Sequence, residues 1–133
     1  MHKFDLTNKT AIITGGAQGF GLDIAKRFLD SGAKAIIWDI DEKELVKASK
    51  EINNPNLKYN VVDVSNFNEV NKTVDQIAKS SNIDILINNA GITGSTSTLW
   101  DYDVDEWNKI IEINLMGTFN CCKTVVPYMI KNN

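Results

Sequence analysis

The chain has 133 residues, 43% of them hydrophobic, with 14 Lys and Arg against 17 Asp and Glu and a formal net charge of −3. This length and composition fit one globular domain with a real core and exclude a disordered chain. The acidic balance argues against a nucleic-acid partner, and no apolar run is long enough to span a membrane. The first residues, with Lys3 and Asp5 among them, lack the apolar run of a signal peptide. The sequence therefore predicts a cytoplasmic protein.

Histidine and cysteine are too few for the common metal and nucleophile sites. His2 is the only histidine, and the two cysteines, Cys121 and Cys122, are adjacent. Neighbouring residues on a helix point about 100° apart, which opposes a disulfide between them. We therefore predict no metal site, and we exclude metallohydrolases, Ser-His-Asp hydrolases and papain-like proteases.

Four short β-branched segments alternate with amphipathic stretches. The strands, expected to be buried on both faces, are Thr10–Thr14, Ala35–Trp38, Leu57–Val62 and Ile83–Ile87. Helices are predicted over Gly21–Leu29, from an N-cap at Asp41 to Ile52, and after an N-cap at Ser65. The order βαβαβαβ implies a parallel sheet with helices on both sides, which is a doubly wound α/β fold.

A polar loop from Thr93 to Thr98 leads into one long helix that begins at about Asp103. Its stripe towards the sheet is expected to contain Trp107, Ile110, Ile111, Asn114, Thr118, Cys122, Val125 and Met129. Pro127 lacks a backbone N–H and is predicted to kink the end of this helix. The sequence thus predicts one domain, residues 1–133, of about four strands and four helices.

The segment from Thr14 to Gly21 follows the first strand and opens the first helix. Gly15, Gly19 and Gly21 let the backbone turn sharply and come close to a pyrophosphate. Free N–H groups and the dipole at the start of the helix favour that anion. A leucine follows Gly21 where a P-loop needs lysine. We predict a dinucleotide-binding turn, and the alternative is a glycine-rich turn without a ligand.

The spacing Gly15-x-x-x-Gly19-x-Gly21 after Thr14 resembles the cofactor turn of the short-chain dehydrogenase/reductase family. Three further matches follow in the family's order: Asp63-Val64, Asn88-Asn89-Ala90-Gly91 and Asn114. The resemblance extends from Leu6 to the end of the last helix. It implies a Rossmann-like, NAD-binding domain and the reversible oxidation of a secondary alcohol to a ketone, with hydride transfer to nicotinamide.

The resemblance also implies which residues contact the cofactor. They are Thr14, Gly15, Gln18, Gly19, Phe20, Gly21, Asp39, Ile40, Asp63, Val64, Asn89, Ala90 and Gly91. Asp63 would meet the adenine amino group, and Val64 would pack near the base. The segment from Asn88 to Gly91 would tie neighbouring strands together and line a ribose.

Asp39 ends the second strand, 18 residues after Gly21. A carboxylate at this place accepts hydrogen bonds from the adenosine ribose hydroxyls and repels a 2′-phosphate. Gln18 stands where NADP-dependent members often have a basic residue. The sequence therefore predicts NAD in preference to NADP. A helix cap is the alternative role for Asp39, although Asp41 is better placed for it.

Asn114 lies four residues before Thr118, on the stripe expected to be buried. A buried amide costs about 1–3 kcal/mol unless it is hydrogen-bonded, so we expect a specific partner. The resemblance implies a catalytic role, in which Asn114 kinks the helix and holds a water of the proton relay. An amide that satisfies only nearby backbone is the alternative.

The family transfers the hydroxyl proton through a tyrosine with a lysine four residues later, helped by a serine. At that offset Tyr59, Tyr102 and Tyr128 are followed by Asp63, Glu106 and Asn132. We therefore expect a C-terminally incomplete domain that is inactive by itself, and a small alcohol or ketone as the substrate of the parent enzyme. A non-catalytic NAD-binding module and an inactive remnant of a longer gene are the alternatives.

The family often associates through its long helix, so a homodimer or homotetramer is expected of the parent enzyme. A sheet of four strands would leave the fourth strand as a bare edge and the long helix partly uncovered. We expect the isolated chain to be marginally stable, and oligomeric or prone to aggregation.

Overall fold

Four strands form one parallel sheet in the structure, a computed structural model that describes residues 4–132 and so leaves His2 outside the described part. The strands are β1 (Thr10–Thr14), β2 (Lys34–Asp39), β3 (Leu57–Val61) and β4 (Ile85–Ile87). Their spatial order is β3-β2-β1-β4, and every neighbouring pair is parallel. The predicted α/β fold with a parallel sheet is confirmed.

Helices alternate with the strands as predicted. They are α1 (Gly19–Asp30), α2 (Glu42–Ile52), α3 (Phe67–Ala78), α4 (Val104–Ile111) and α5 (Gly117–Lys131). A π-helical turn, Glu112–Met116, joins α4 to α5, so the two form one interrupted helix. Helix α5 continues through Pro127 to its last residue. None of the helices within residues 4–132 has the length and apolarity needed to cross a membrane.

The core has two layers because successive residues of a strand point to opposite faces of the sheet. Ile13 and Ile37 face α1 and α2, whereas Ile12 and Trp38 face α3 and α5. All four of these side chains are buried. Helices therefore cover both faces of the sheet, which makes the fold doubly wound.

The expectation that all four strands are buried on both faces is correct only for the two central strands. Every residue of β1 is buried, and β2 is exposed only at Lys34. In β3 only Leu57 is buried, and β4 is half-buried throughout. Both are outer strands of the sheet, with a neighbouring strand on one side.

Two predicted N-caps have different outcomes. Asp41 caps α2 as predicted, its Oδ1 accepting the Glu44 N–H at 3.1 Å. Ser65 is not the cap of α3, because that role belongs to Asn66. The Ser65 hydroxyl instead donates to Oδ1 of Asp63 at 2.6 Å. Helix α3 begins one residue later than predicted, and Oδ1 of Asn66 accepts the Glu69 N–H at 3.2 Å.

Of the stripe predicted for the last helix, only Val125 is buried. The buried residues of α5 are Gly117, Asn120, Cys121, Thr124 and Val125, whereas the predicted positions at 118, 122 and 129 are half-buried. A π turn bonds residue i to i+5 and so inserts an extra residue into the helical repeat. Spacing counted along an uninterrupted helix therefore does not carry over from α4 to α5. Helix α4, before the turn, has no buried residue.

Helix α5 packs against α3 on the face of the sheet that carries Ile12 and Trp38. The Tyr128 hydroxyl donates to Oδ1 of Asp75 at 2.7 Å, and this bond raises the pKa of Tyr128 above its ordinary value. Burial raises the pKa of Cys121 to about 12. A thiolate at Cys121 is therefore negligible near neutral pH, and this residue serves packing rather than chemistry.

Candidate functional site

A crevice of about 1060 Å³ opens at the carboxyl ends of the strands. Loops that follow each of the four strands line it, and α4 forms another wall. Its lining includes Gly15, Gln18, Phe20, Asp39, Ile40, Asp63, Val64, Asn89, Ala90, Gly91 and Ile92. The strand order reverses at β1, since β2 and β4 lie on either side of it. Ligands of open α/β sheets bind at such a switch point.

Most of the residues proposed from the sequence as cofactor contacts therefore meet in one place. Thr14, Gly19 and Gly21 belong to the same turn but are not part of the lining itself. Asn114 is also outside the lining, although its bonding partner Ile92 is part of it.

The start of helix α1 faces this crevice without a side-chain cap. Its N-cap residue is Gln18, whose side chain makes no capping hydrogen bond. Asp41, Asn66 and Asp103 do make such bonds at the starts of α2, α3 and α4. The first N–H groups of a helix have no partner within the helix, so those of α1 are left for another acceptor. An anion is favoured there by the helix dipole as well.

Two glycines of this turn have different physical roles. Gly19 has φ +57°, in the left-handed region, and a Cβ there would meet nothing within 4 Å, so its surface is open to a ligand. A Cβ on Gly21 would collide with the Gly15 carbonyl oxygen and lie 2.6 Å from Nδ2 of Asn89. Gly21 is therefore required for close packing within the turn, and Gly19 for its backbone conformation and the open approach.

A hydrogen-bond cluster joins the loop after β4 to the glycine turn, which is the segment from Thr14 to Gly21. Oγ1 of Thr14 accepts the N–H groups of Asn89 and Ala90, both at 3.0 Å. Nδ2 of Asn89 donates to the carbonyl oxygens of Thr14 and Gly15 at 3.1 and 3.0 Å. The loop that follows β4 is therefore held directly against the end of β1. This is the strand-tying role expected of the Asn88–Gly91 segment.

Replacing Thr14 with valine is expected to lower the free energy of unfolding by about 2–4 kcal/mol, because two backbone N–H groups lose their acceptor. Thr14 is 1% exposed, so water cannot replace the hydroxyl. Urea denaturation followed by circular dichroism measures the change. Thr10→Val at the other end of β1 is the matched control, since the Thr10 hydroxyl makes no hydrogen bond within residues 4–132, and its effect should stay within about 0.5 kcal/mol. Equal losses in the two variants would contradict this account of the cluster.

Asp39 ends β2 beside the glycine turn. Its Oδ2 accepts the Ala17 N–H at 3.3 Å, and its Oδ1 accepts the Asp41 N–H at 3.2 Å. The Trp38 carbonyl accepts the Gly16 N–H at 3.0 Å, which extends the pairing of β1 and β2 into the turn. The carboxylate is therefore held at the rim of the crevice by backbone N–H groups. It does not cap α2, which is the role of Asp41.

Phe20 and Ile40 are apolar side chains at the rim of the crevice. Phe20 is 83% exposed and Ile40 is 68% exposed, although both are large hydrophobic residues. Exposed apolar side chains at a crevice rim favour contact with a flat or apolar part of a ligand.

The segment after β3 forms another wall. Oδ1 of Asp63 accepts both the backbone N–H and the hydroxyl of Ser65, at 2.9 and 2.6 Å. The Asp63 N–H donates to Oε2 of Glu69 at 2.9 Å. Val64 is 6% exposed and packs in the core. Asp63 is thereby fixed in orientation at the crevice surface.

Asn114 lies in the π turn and bonds to the loop after β4. Its Oδ1 accepts the Ile92 N–H at 2.8 Å, and its Nδ2 donates to the Ile92 carbonyl at 2.9 Å. The residue is exposed, so the expectation that it is buried is wrong. The reason is that α4 and the π turn bury no residue, so this part of the helix does not pack closely on the sheet. The expectation of a specific partner is met by the Ile92 backbone.

Sequence reasoning missed the wall contributed by α4. The lining residues recur at helical spacing, with Asp105, Asn108 and Lys109 in α4 and Glu112 and Ile113 in the π turn that follows it. This polar stripe could have been read from the sequence, but only the tertiary structure shows that it faces the crevice. Among the charged side chains of the lining, carboxylates predominate. They are Asp39, Asp41, Asp63, Asp105 and Glu112, and Lys109 is the single cation among the described lining residues.

Comparison with known proteins identifies the family. The model of a family described as short chain dehydrogenase matches residues 9–133. The chain belongs to the short-chain dehydrogenase family. A similar protein is 2-dehydro-3-deoxy-L-rhamnonate dehydrogenase (NAD(+)) of Sphingomonas sp. (strain SKA58), which is 38% identical over 125 residues. The match covers 93% of this chain and 49% of that relative.

Two further proteins are similar to this short-chain dehydrogenase chain over nearly its whole length. A 3-oxoacyl-acyl-carrier-protein reductase of Chlamydia muridarum is 38% identical over 130 residues, covering 95% of this chain and 52% of the relative. The crystal structure of a 3-ketoacyl-(acyl-carrier-protein) reductase from Brucella melitensis complexed with NADH has a TM-score of 0.91 at 31% identity. That match covers 96% of this chain and 52% of the other. The chain thus spans about half the length of the relatives it matches.

Proposed function

We propose that this chain is the NAD(H)-binding part of a short-chain dehydrogenase that interconverts a secondary alcohol and a ketone. The observation that carries the proposal is the uncapped start of α1, which faces a crevice shared with the Asp39 carboxylate. Backbone N–H groups there suit a diphosphate, and the carboxylate beside them suits the hydroxyls of a ribose. Family membership agrees with this reading.

The residues present fit a dinucleotide along the whole crevice. Gly15, Gly19 and Gly21, with Thr14, Gln18 and Phe20 around them, would hold the diphosphate. Asp39 and Ile40 would hold the adenosine ribose, and Asp63 and Val64 the adenine. Asn89, Ala90 and Gly91 would contact the ribose nearer to nicotinamide. The open surface at Gly19 supports this assignment, because a Cβ there would project into free space where a phosphate has to come close.

NAD is proposed in preference to NADP on electrostatic grounds. A 2′-phosphate adds about two negative charges next to Asp39. Lys109 is the only cation among the described lining residues, against five carboxylates. This negatively charged lining opposes the binding of a further phosphate. The diphosphate itself would be bound by the uncharged N–H groups at the start of α1.

Bound nicotinamide would supply the chemistry, which is acceptance of a hydride from an alcohol carbon or its donation to a ketone. Asn114 is the one residue of this chain that we assign to the catalytic set. Its amide bonds to both the N–H and the carbonyl oxygen of Ile92, and these bonds fix the loop beside Gly91. Among the residues given, no tyrosine has a lysine four positions later. We therefore assign cofactor binding, and not turnover, to the chain as given.

Isothermal titration calorimetry of the full chain with NAD and with NADH tests the proposal, together with an absorbance assay of NADH formation in the presence of candidate alcohols. Binding without turnover is the expected result. Failure to bind either cofactor would overturn the proposal. Turnover would contradict the assignment of cofactor binding without catalysis, and would leave the rest of the proposal standing.

Self-association is proposed through the interrupted helix. Large apolar side chains are exposed along it and in the turn before it: Trp100, Trp107, Leu115, Phe119, Val126 and Ile130. Exposed apolar surface of this extent favours association. Sedimentation velocity at several concentrations is expected to give a dimer, a tetramer or larger species, and a monomer at all concentrations would contradict it.

A further inference from the structure

The segment Val62–Ser65 forms the crevice wall after β3 and is held from behind by α5. Asn120 lies on the buried face of this helix, with 4% of its surface exposed. Its Nδ2 donates to the carbonyl oxygens of Val64 at 2.9 Å and of Ser65 at 3.4 Å. Asn120 is not part of the crevice lining itself. Any effect that it has on a ligand must therefore pass through these two carbonyl groups.

A second contact from the same helix fixes the side chain of this wall. Gly117 lies three residues before Asn120, and a Cβ on Gly117 would be 2.7 Å from Cγ2 of Val64. Val64 therefore rests directly on the backbone of α5. Asn120 and Gly117 together hold Val64 by its carbonyl group and by its side chain.

The hydrogen bond from Asn120 to Ser65 also affects the Asp63 carboxylate, to which Ser65 is bonded. Ser65 donates its N–H and its hydroxyl to Oδ1 of Asp63, so the position of Ser65 decides the orientation of that carboxylate. In the described part of the chain, Oδ2 of Asp63 accepts no hydrogen bond from the protein. One oxygen is thus used to orient the group, and the other is left for a donor in the crevice.

Burial of the Asn120 amide is costly unless it makes hydrogen bonds, whereas an apolar residue could fill the same space in the core. The hydrogen bonds of its amide nitrogen go to the wall of the crevice rather than to other core groups. We propose that Asn120 is a positioning residue for base recognition, which sets Asp63 and Val64 for the adenine end of the cofactor. This inference rests on the proposed function, since it takes a dinucleotide as the ligand.

The test compares the affinities of NADH and of deamino-NADH, which carries hypoxanthine and so lacks the adenine amino group. The wild-type chain should prefer NADH, because Asp63 accepts a hydrogen bond from that amino group. Asn120→Asp turns a carboxylate oxygen towards the two carbonyl groups and releases the wall. It should weaken NADH binding by about tenfold and bring the ratio of the two affinities close to one. A merely structural role would weaken both ligands equally and leave the ratio unchanged.

Thr124→Val is the matched control on the same helix. The Thr124 hydroxyl donates to the carbonyl oxygens of Asn120 and Cys121, within α5 and away from the crevice wall. This variant should change the melting temperature without changing the affinity ratio. If Asn120→Asp does not fold, Gly117→Ala displaces Val64 from the same side and should also lower the ratio.

Each outcome has a separate meaning. A wild-type chain that binds neither ligand overturns the proposed function and this inference with it. A wild-type chain that binds both ligands equally overturns the inference alone, because the base is then not recognised through its amino group. An unchanged ratio in the folded Asn120→Asp variant, or in Gly117→Ala if that variant is used instead, overturns it as well.

Discussion

Gly21→Ala is expected to lower the affinity of the chain for NADH by about 100-fold or more. The new Cβ would collide with the Gly15 carbonyl oxygen and lie 2.6 Å from Nδ2 of Asn89, so the glycine turn must move. Loss of two charge-assisted hydrogen bonds from the turn to the diphosphate, at about 1.5 kcal/mol each, corresponds to this factor. Calorimetric titration of the folded variant with NADH measures it. Overpacking should also lower the free energy of unfolding by about 1–3 kcal/mol.

Gly32→Ala is the control for loss of stability without change at the site. Gly32 follows α1 with φ +90°, and a Cβ there would lie 2.9 Å from Oγ1 of Thr7. This variant should be destabilised as well, but its affinity for NADH should remain within about twofold of wild type. Equal binding defects in the two glycine variants would mean that the Gly21 effect comes from global stability.

Asp39→Asn is expected to weaken NADH binding by about tenfold and to narrow the preference for NADH over NADPH by at least about tenfold. Hydrogen bonds to a charged acceptor contribute about 1.5–3 kcal/mol, and the amide removes that charge and its repulsion of a 2′-phosphate. The amide oxygen can still accept one of the two N–H groups that the carboxylate accepts, from Ala17 and Asp41. Titrations with NADH and NADPH on the same preparation give the ratio of affinities.

Asp41→Asn removes the same charge two residues further along. Asp41 also lines the crevice, but its side chain caps α2, and asparagine is an equally good cap. The NADPH-to-NADH ratio should therefore change much less than in Asp39→Asn. Equal changes would assign the preference to the net charge of the crevice rather than to the Asp39 carboxylate.

The fold could be predicted from the sequence because its signals are local and agree with one another. The β-branched run Thr10–Thr14 is buried throughout, as its composition predicts. The cap at Asp41 is correct for the same reason, since a carboxylate bonds to a backbone N–H three residues later. At Ser65 the predicted cap is one residue off, because the adjacent Asn66 is an equally favourable cap residue and accepts the Glu69 N–H.

The candidate site was predictable where residues follow the ends of parallel strands. Gly15, Asp39, Asp63 and Asn89 are far apart in the sequence and meet in one crevice because parallel strands bring their carboxyl ends to the same edge. The exposure of Asn114 and the buried stripe of α5 were not predictable in this way. They depend on a π turn, and helical spacing in the sequence gives no indication of where such a turn occurs.

The sequence by itself determined the order of the elements, the parallel sheet and the set of residues at its carboxyl edge. Strand propensity, glycine spacing and capping act within a few residues, so the linear pattern contains them. Only the tertiary structure decided that Asn120 holds the Val64 and Ser65 carbonyls and that α4 turns a polar stripe to the crevice. The Asn120 bonds join residues 56 and 55 positions apart. Their geometry follows from how helices pack on the sheet, which no local pattern encodes.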